Sequence, residues 1–336
     1  MTIPSTIGVT GAAGFVGANL VERLLAAGST VIGVDDLSTG SMANVAHLQA
    51  DDRFTLHEFD CRDEQRLHEV FAQCDAIVHL AAMKIPRYGG ALRTMEVNVD
   101  GSHAAFNVAL KTGAHVVFTS TSDVYGNAPA PFEEDGPIVL GPPTSRRWSY
   151  ATSKLYDEHL ALRLAEEQGL KVTILRLFNA YGPFNDPTWW GGPLSVFIET
   201  LLDDGMLEIH GDGKQVRSFT YVSDTVDGFV RALERPEESS GEIINVGSTE
   251  PINIIDLARK VQDALGIEGP LRATSTPLET IGGNYQDVVY RVPSTEKAKR
   301  ILGFEAKVGL DEGIAKTIEF IKARRAAEAE AEAIVA

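Results

Sequence analysis

Apolar residues fall in short runs at regular intervals over the first 180 positions. Ile7-Gly8-Val9-Thr10, Val31-Ile32-Gly33-Val34, the alternating stretch 54–59, Ala76-Ile77-Val78-His79-Leu80, 115–118 and 172–177 each have the length and residue types of a buried strand. Between them the apolar period lengthens to helical spacing, over 15–27, 63–73, 91–112 and 149–168, and Gly28 stops the first of these segments. Strands alternating with helices predict βαβ units, right-handed crossovers and a parallel sheet covered on both faces. The rhythm breaks after Pro183. Residues 184–193, rich in Gly, Pro, Asn and Trp, read as loop, followed by a helix near 194–204, a turn at Gly211-Asp212-Gly213 and helices near 252–265 and 309–324. The pattern predicts a sheet-bearing domain over 1–180 and a smaller mixed α/β lobe over 181–325, with some chain crossing back to the sheet. The Ala/Glu-rich tail over 326–336 either extends a helix or frays, with fraying expected for its last residues.

Composition narrows the function more than the fold. The 336 residues are 44% hydrophobic, enough for a sizeable core, and a net charge of −17 argues against nucleic acid or an anionic membrane as the main partner. Two cysteines, Cys61 and Cys74, cannot make a disulfide framework, no run of 18 apolar residues exists, and no signal peptide is visible. The expectation is a soluble cytoplasmic protein.

Gly11, Gly14 and Gly17 recur at intervals of three between the first strand and the first helix. Gly11 suits a tight turn, Gly14 lets the backbone approach a pyrophosphate, and Gly17 lets helix pack on sheet; the helix N-terminus then offers free N–H groups to the phosphates. Asp35 closes the second strand, where a carboxylate accepts hydrogen bonds from ribose hydroxyls and repels a 2′-phosphate. Asp36 adds negative charge beside it. Glycines, strand and helix in register predict a Rossmann-type doubly wound sheet that binds NAD rather than NADP.

Tyr150 and Lys154 stand four residues apart at a helix start, on one face. A lysine charge and a bound nicotinamide both favour the phenolate, so Tyr150 can take a proton from a sugar hydroxyl as hydride leaves the same carbon. Thr119-Ser120-Thr121-Ser122-Asp123 follows the fifth strand at the carboxyl edge of the sheet, where Thr121 can share a hydrogen bond with the reacting hydroxyl and Asp123 is a candidate acid or base.

These segments together resemble the extended short-chain dehydrogenase/reductases that act on nucleotide sugars. The resemblance is carried by TGAAGFVG at 10–17, HLAA at 79–82, the Asn98 segment EVNVDGS, TSTSDVYG at 119–126, YATSK at 150–154, RLFNAYGP at 176–183 and GDGKQVRSFTYVSD at 211–224. It implies NAD held through a catalytic cycle by Gly11, Gly14, Phe15, Val16, Gly17, Asp35, Asp36, Leu80, Ala81, Ala82, Asn98, Ser120 and Phe178, with Asp60 and Cys61 near adenine and Lys84 near the phosphates. It implies Tyr150 as base, Lys154 as its activator and ribose anchor, and Thr121 as hydroxyl partner. Asn179 and Arg217 would hold the substrate pyrophosphate; Lys84, Thr121, Ser122, Asp123, Tyr150 and Arg291 complete the substrate set. A homodimer through helices near 91–112 and 149–168 is also implied.

Members of that family oxidise a sugar C4 hydroxyl and then diverge. Dehydration calls for an Asp-Glu pair after the threonine, and Ser122-Asp123 lacks the first acid. Arg147-Trp148-Ser149-Tyr150, and Tyr285-Gln286-Asp287-Val288 with Arg291-Val292-Pro293, resemble segments of UDP-glucuronate decarboxylases, whose arginine works at the uronate. A guanidinium suits a carboxylate because it binds both oxygens. Asp123, however, is one methylene shorter than the glutamate usual in those enzymes, and Phe184 stands where uronate epimerases often carry arginine. The sequence therefore points first to a 4-epimerase acting on a UDP-hexose or UDP-hexuronate, with decarboxylation as the alternative. A 4,6-dehydratase ranks lower because its first acid is missing, and a catalytically dead NAD-binding regulator because Tyr150 and Lys154 are both intact. Trp189 and Trp190 can cover the sugar or uracil or simply pack their loop; no HExxH or Cys-x-x-Cys spacing predicts a metal.

Overall fold

The computed structural model describes residues 2–84, 90–189, 191–281 and 286–335, so Trp190 and Tyr285 lie outside the described residues. Seven parallel strands form the central sheet: β1 (Thr6–Thr10), β2 (Thr30–Asp35), β3 (Phe54–Glu58), β4 (Ala76–His79), β5 (His115–Thr121), β6 (Val172–Leu177) and β7 (Ile243–Val246). Their spatial order is 7-6-5-4-1-2-3. The central strands are buried almost end to end because helices cover both faces. The chain runs outward from β1 through β2 to β3, then returns to place β4 on β1's other side. That reversal leaves a crevice at the carboxyl ends of β1 and β4, the place where open α/β sheets hold ligands.

The helix Phe15–Ala26 turns Leu20, Val21, Leu24 and Leu25 inward at helical spacing and packs against the helix Val222–Glu234 on one face of the sheet. On the other face lie the helices Ala91–Thr112 and Trp148–Gln168. A third core, around Phe197, Ile198, Leu257 and Ile314, lies beneath the later elements. These include a small sheet in which Val216–Arg217 pairs with both Ile252–Asn253 and Tyr290–Arg291.

One feature departs from the sequence pattern. β7 belongs to the main sheet although its four residues, between Gly241 and Gly247, are too few to declare a period. The helix Leu310–Val335 extends through the described part of the tail, since alanine and glutamate are among the strongest helix formers. Among the described residues no helix is long and apolar enough to cross a membrane.

Candidate active site

The crevice opens into a cavity of about 540 Å³. Its floor is the glycine turn. Gly11 has φ +71° and presses so closely on the β4 loop that a Cβ would come within 2.8 Å of the Ala81 nitrogen. A Cβ on Gly17 would meet the Gly11 carbonyl oxygen at 2.0 Å. Only glycine allows this packing, which brings the free N–H groups of the helix Phe15–Ala26 to the cavity. At the end of β2, the Asp35 carboxylate accepts N–H bonds from Ala13 and Leu37, each 2.9 Å. Burial raises its proton affinity, and those N–H groups oppose the rise. Phe15, Val16, Asp36, Asp60, Cys61, Leu80, Ala81, Ala82 and Lys84 also line the cavity. Asp60 is bound by Arg62, at 2.5 Å between Oδ2 and the guanidinium. The Cys61 thiol is pushed up to about 12, mainly by burial, and is no nucleophile.

Beyond the glycine turn, β5 and the helix Trp148–Gln168 bring Thr121, Ser122, Asp123, Tyr150 and Lys154 together on the wall. The Thr121 hydroxyl hydrogen-bonds the Tyr150 phenol oxygen. Burial first, and the Asp123 charge second, hold the phenol above its ordinary range; Thr121 and Arg291 pull the other way. The sequence expectation that the Lys154 charge and a bound nicotinamide prepare a phenolate is thus only part of the balance. Lys154 Nζ is buried above the Phe118 ring, 4.6 Å from its centroid, with no hydrogen-bond partner among the described residues. Such an orphaned ammonium on a cavity wall suits ribose hydroxyls. With the glycine cradle and Asp35, it makes this cavity fit a dinucleotide.

Asp123 is more constrained than its position in the sequence suggests. Its Oδ1 lies 2.8 Å from Arg291 and 3.3 Å from Arg147. Burial works against ionisation, yet Arg291, Arg147 and Arg217 outweigh it and keep the carboxyl below its usual range. Asp123 is therefore an anion held between guanidiniums, which does not suit the acid half of the expectation of an acid or base. Arg291, on Tyr290–Arg291, lines the cavity and keeps its Nε without a partner among the described residues. The pairing of Arg147 with Asp123 is not evident from the sequence, because nothing local links them; the only signal is its place just before Trp148.

Three expected ligands do not line the cavity. Asn98 sits behind it, donating to the Met83 carbonyl and the Ser153 hydroxyl and accepting from the Met83 N–H, while Ser153 donates to the Tyr150 carbonyl. It is a brace between the β4 loop and the Tyr150 turn. Phe178 is fully buried against Tyr125 and Phe132. Arg217 turns to Asp287, 2.7 Å away, and to the Val216 carbonyl. Ser120 and Asn179 do line the cavity, but the Ser120 hydroxyl donates to Glu158 at 2.5 Å and the Asn179 amide to the Ser218 carbonyl. Phe184 and Trp189 line the far end, Trp189 stacked on His210 with centroids 4.5 Å apart. Phe320 and Arg324 of the last helix reach the same end, which local sequence pattern does not reveal.

A doubly wound sheet, a glycine cradle with the Asp35 carboxylate beside it, and a tyrosine, lysine and threonine meeting at its edge define an NAD-dependent enzyme of the sugar-nucleotide class. The chain belongs to the NAD dependent epimerase/dehydratase family, whose profile matches residues 7–247. It is 33% identical over 317 residues to a UDP-N-acetyl-alpha-D-glucosaminuronate decarboxylase of Bacillus cytotoxicus, covering 94% of this chain and 97% of that one. It is 31% identical to UDP-glucuronic acid decarboxylase 1 of Arabidopsis thaliana, over 94% and 69% of the two chains. The fold also matches a UDP-glucose 4-epimerase of Thermus thermophilus solved with NAD, at a TM-score of 0.81, 29% identity and coverage of 94% and 99%.

Proposed function

We propose that the chain is a UDP-hexuronate decarboxylase, acting on UDP-glucuronate or its 2-acetamido counterpart. The observation that carries this reading is the largely buried Asp123–Arg291 pair beside Tyr150, with Arg147 on the same carboxylate. Arg291 lines the cavity and keeps its Nε without a partner among the described residues, so its guanidinium can take the carboxylate of a uronate. The decarboxylase relatives support the same choice over the epimerisation favoured by the sequence.

The glycine turn, Asp35 and Lys154 would hold NAD, which would supply the hydride acceptor and donor for C4. Tyr150 takes the O4 proton, helped by the Lys154 charge, and Thr121 keeps its hydrogen bond to the phenol. Oxidation at C4 leaves the C6 carboxylate β to a ketone, so its C5–C6 bond breaks to release CO2 and leaves an enolate at C4–C5. The phenol and the Thr121 hydroxyl stabilise the enolate oxygen. Protonation at C5 gives the 4-ketopentose, and Tyr150 gives the proton back to O4 as C4 is reduced. The net change is loss of CO2 and gain of one proton. Arg291 orients the carboxylate; Asp123 holds Arg291.

The reading extends to a homodimer through the helices Ala91–Thr112 and Trp148–Gln168, which leave Leu92, Met95 and Tyr156 exposed. The experiment is incubation with UDP-glucuronate, UDP-N-acetylglucosaminuronate and UDP-glucose, followed by chromatography with mass detection. A product lighter by CO2 from a uronate is expected. A new peak of unchanged mass identifies a 4-epimerase and overturns the proposal.

A further inference from the structure

Two buried groups, one on the catalytic wall and one behind it, lack the partners their chemistry calls for. Lys154 Nζ is one; Asp157, one turn further along the same helix, is the other. Asp157 is fully buried, its Oδ2 accepts a 2.9 Å hydrogen bond from the Ser102 hydroxyl on the neighbouring helix, and its Oδ1 has no partner among the described residues. A lysine this dry sheds its proton unless a negative charge faces it.

The other titratable groups around the pair are committed or neutral. On the same helix, Glu158 takes a two-pronged contact from Arg176, at 2.9 and 2.7 Å, and a third bond from Ser120 on β5. His79 on β4 touches Ser102 at 3.5 Å and Thr10 at 2.8 Å, and burial together with the Lys154 charge pushes it down to about 3, so it is neutral. Cys61, after β3, stays a thiol. Tyr150 stays a phenol in this surrounding, and Asp123 is held by its two arginines. Of the charges acting on Lys154, that of Asp157 is the strongest; burial pulls the ammonium down and Asp157 pushes it back up.

We propose that Asp157 is a positioning residue for Lys154: its carboxylate, held by Ser102, is the counter-charge that keeps the ammonium protonated and aimed at the cavity. This rests on the role given to Lys154 above. The Asp157 carboxyl is itself raised to about 7, chiefly by burial, with Lys154 and Ser102 opposing, so the counter-charge is in place on the alkaline side of neutrality, where a desolvated lysine is most at risk.

Asp157→Asn is nearly isosteric, keeps an acceptor for Ser102 and removes the charge. The Lys154 Nζ signal of the full chain, labelled with nitrogen-15 lysine and assigned by its loss in Lys154→Met, is followed by NMR against pH. In Asp157→Asn its titration midpoint is expected to fall by about one pH unit or more, the size of an opposite-charge effect. The alkaline limb of kcat/KM moves down with it, and Asp157→Glu restores part of both. A midpoint and limb unchanged in a folded Asp157→Asn protein overturn the proposal. Absence of turnover on every UDP-sugar sinks the functional reading, while the Nζ titration still decides the role of Asp157.

Discussion

Replacing Arg291 with methionine separates the carboxylate-binding argument from ordinary structural damage. The guanidinium lies 2.8 Å from Asp123 and both side chains are largely buried. Breaking a buried pair costs about 3–5 kcal/mol, and because Arg147 remains at 3.3 Å the lower end, about 3 kcal/mol, applies. Unfolding entropy for 336 residues is about 0.7 kcal/mol per kelvin, so Tm falls by about 4 °C. The sign of the pH dependence follows from Asp123, whose folded carboxyl is held below its ordinary 3.8. A depressed carboxyl contributes stability above the unfolded value and loses it as pH falls through the folded one. The stability gap between wild type and Arg291→Met is therefore full at neutral pH and closes below about pH 4. On the substrate side, a hydrogen bond to a charged group is worth about 1.5–3 kcal/mol, or about 10–150-fold in kcat/KM for a uronate. Turnover of UDP-glucuronate is followed by chromatography, and binding of UDP-glucose by calorimetry, below the lowered Tm. The neutral sugar should bind within about twofold of wild type, since it makes no charge-assisted bond to this side chain. Equal losses on both ligands refute the carboxylate contact.

Tyr150→Phe should lower kcat by about 10²–10⁴-fold, the range for a general base, while NAD released on denaturation stays stoichiometric; near-normal turnover removes Tyr150 from the mechanism. Gly17→Ala drives a Cβ into the Gly11 carbonyl, so NAD should be absent from the purified protein and Tm should drop; retained NAD would show that the turn yields. Cys61 and Cys74 are both pushed up to about 12, so neither should react with a disulfide reagent at about pH 8 until the protein is unfolded. Rapid labelling of the native protein contradicts that.

What the sequence reveals and what it hides follow one physical line. Gly11, Gly14, Gly17 and Asp35 are readable because strand, turn and helix are local, and the packing at Gly11 and Gly17 admits only glycine. Tyr150 and Lys154 are readable because helix periodicity puts them on one face. Asp123, in the turn after β5, and Arg291, on a two-residue strand, meet across 168 positions with no local pattern to declare it, so the sequence leaves Asp123 as a candidate acid or base. Asn98, Phe178 and Arg217 show the reverse: a motif marks a residue without saying which way it faces, and here they brace or fill instead of lining the cavity. β7 escapes because four residues carry too little periodicity.

β7 also makes the nucleotide-binding half dependent on chain made long after it. Its hydrogen bonds to β6 come from residues 243–246, and Val222–Glu234 lies on the helix that follows the glycine turn. Asn245 stitches this return in place, accepting from the Tyr125 phenol at 2.8 Å and donating to the Phe132 carbonyl. A fragment cut at residue 180 would keep every motif of the dinucleotide cradle, yet it would expose β6 as a bare, apolar sheet edge. During synthesis, then, the β6 edge of the first half stays unsealed until residues 243–246 have emerged.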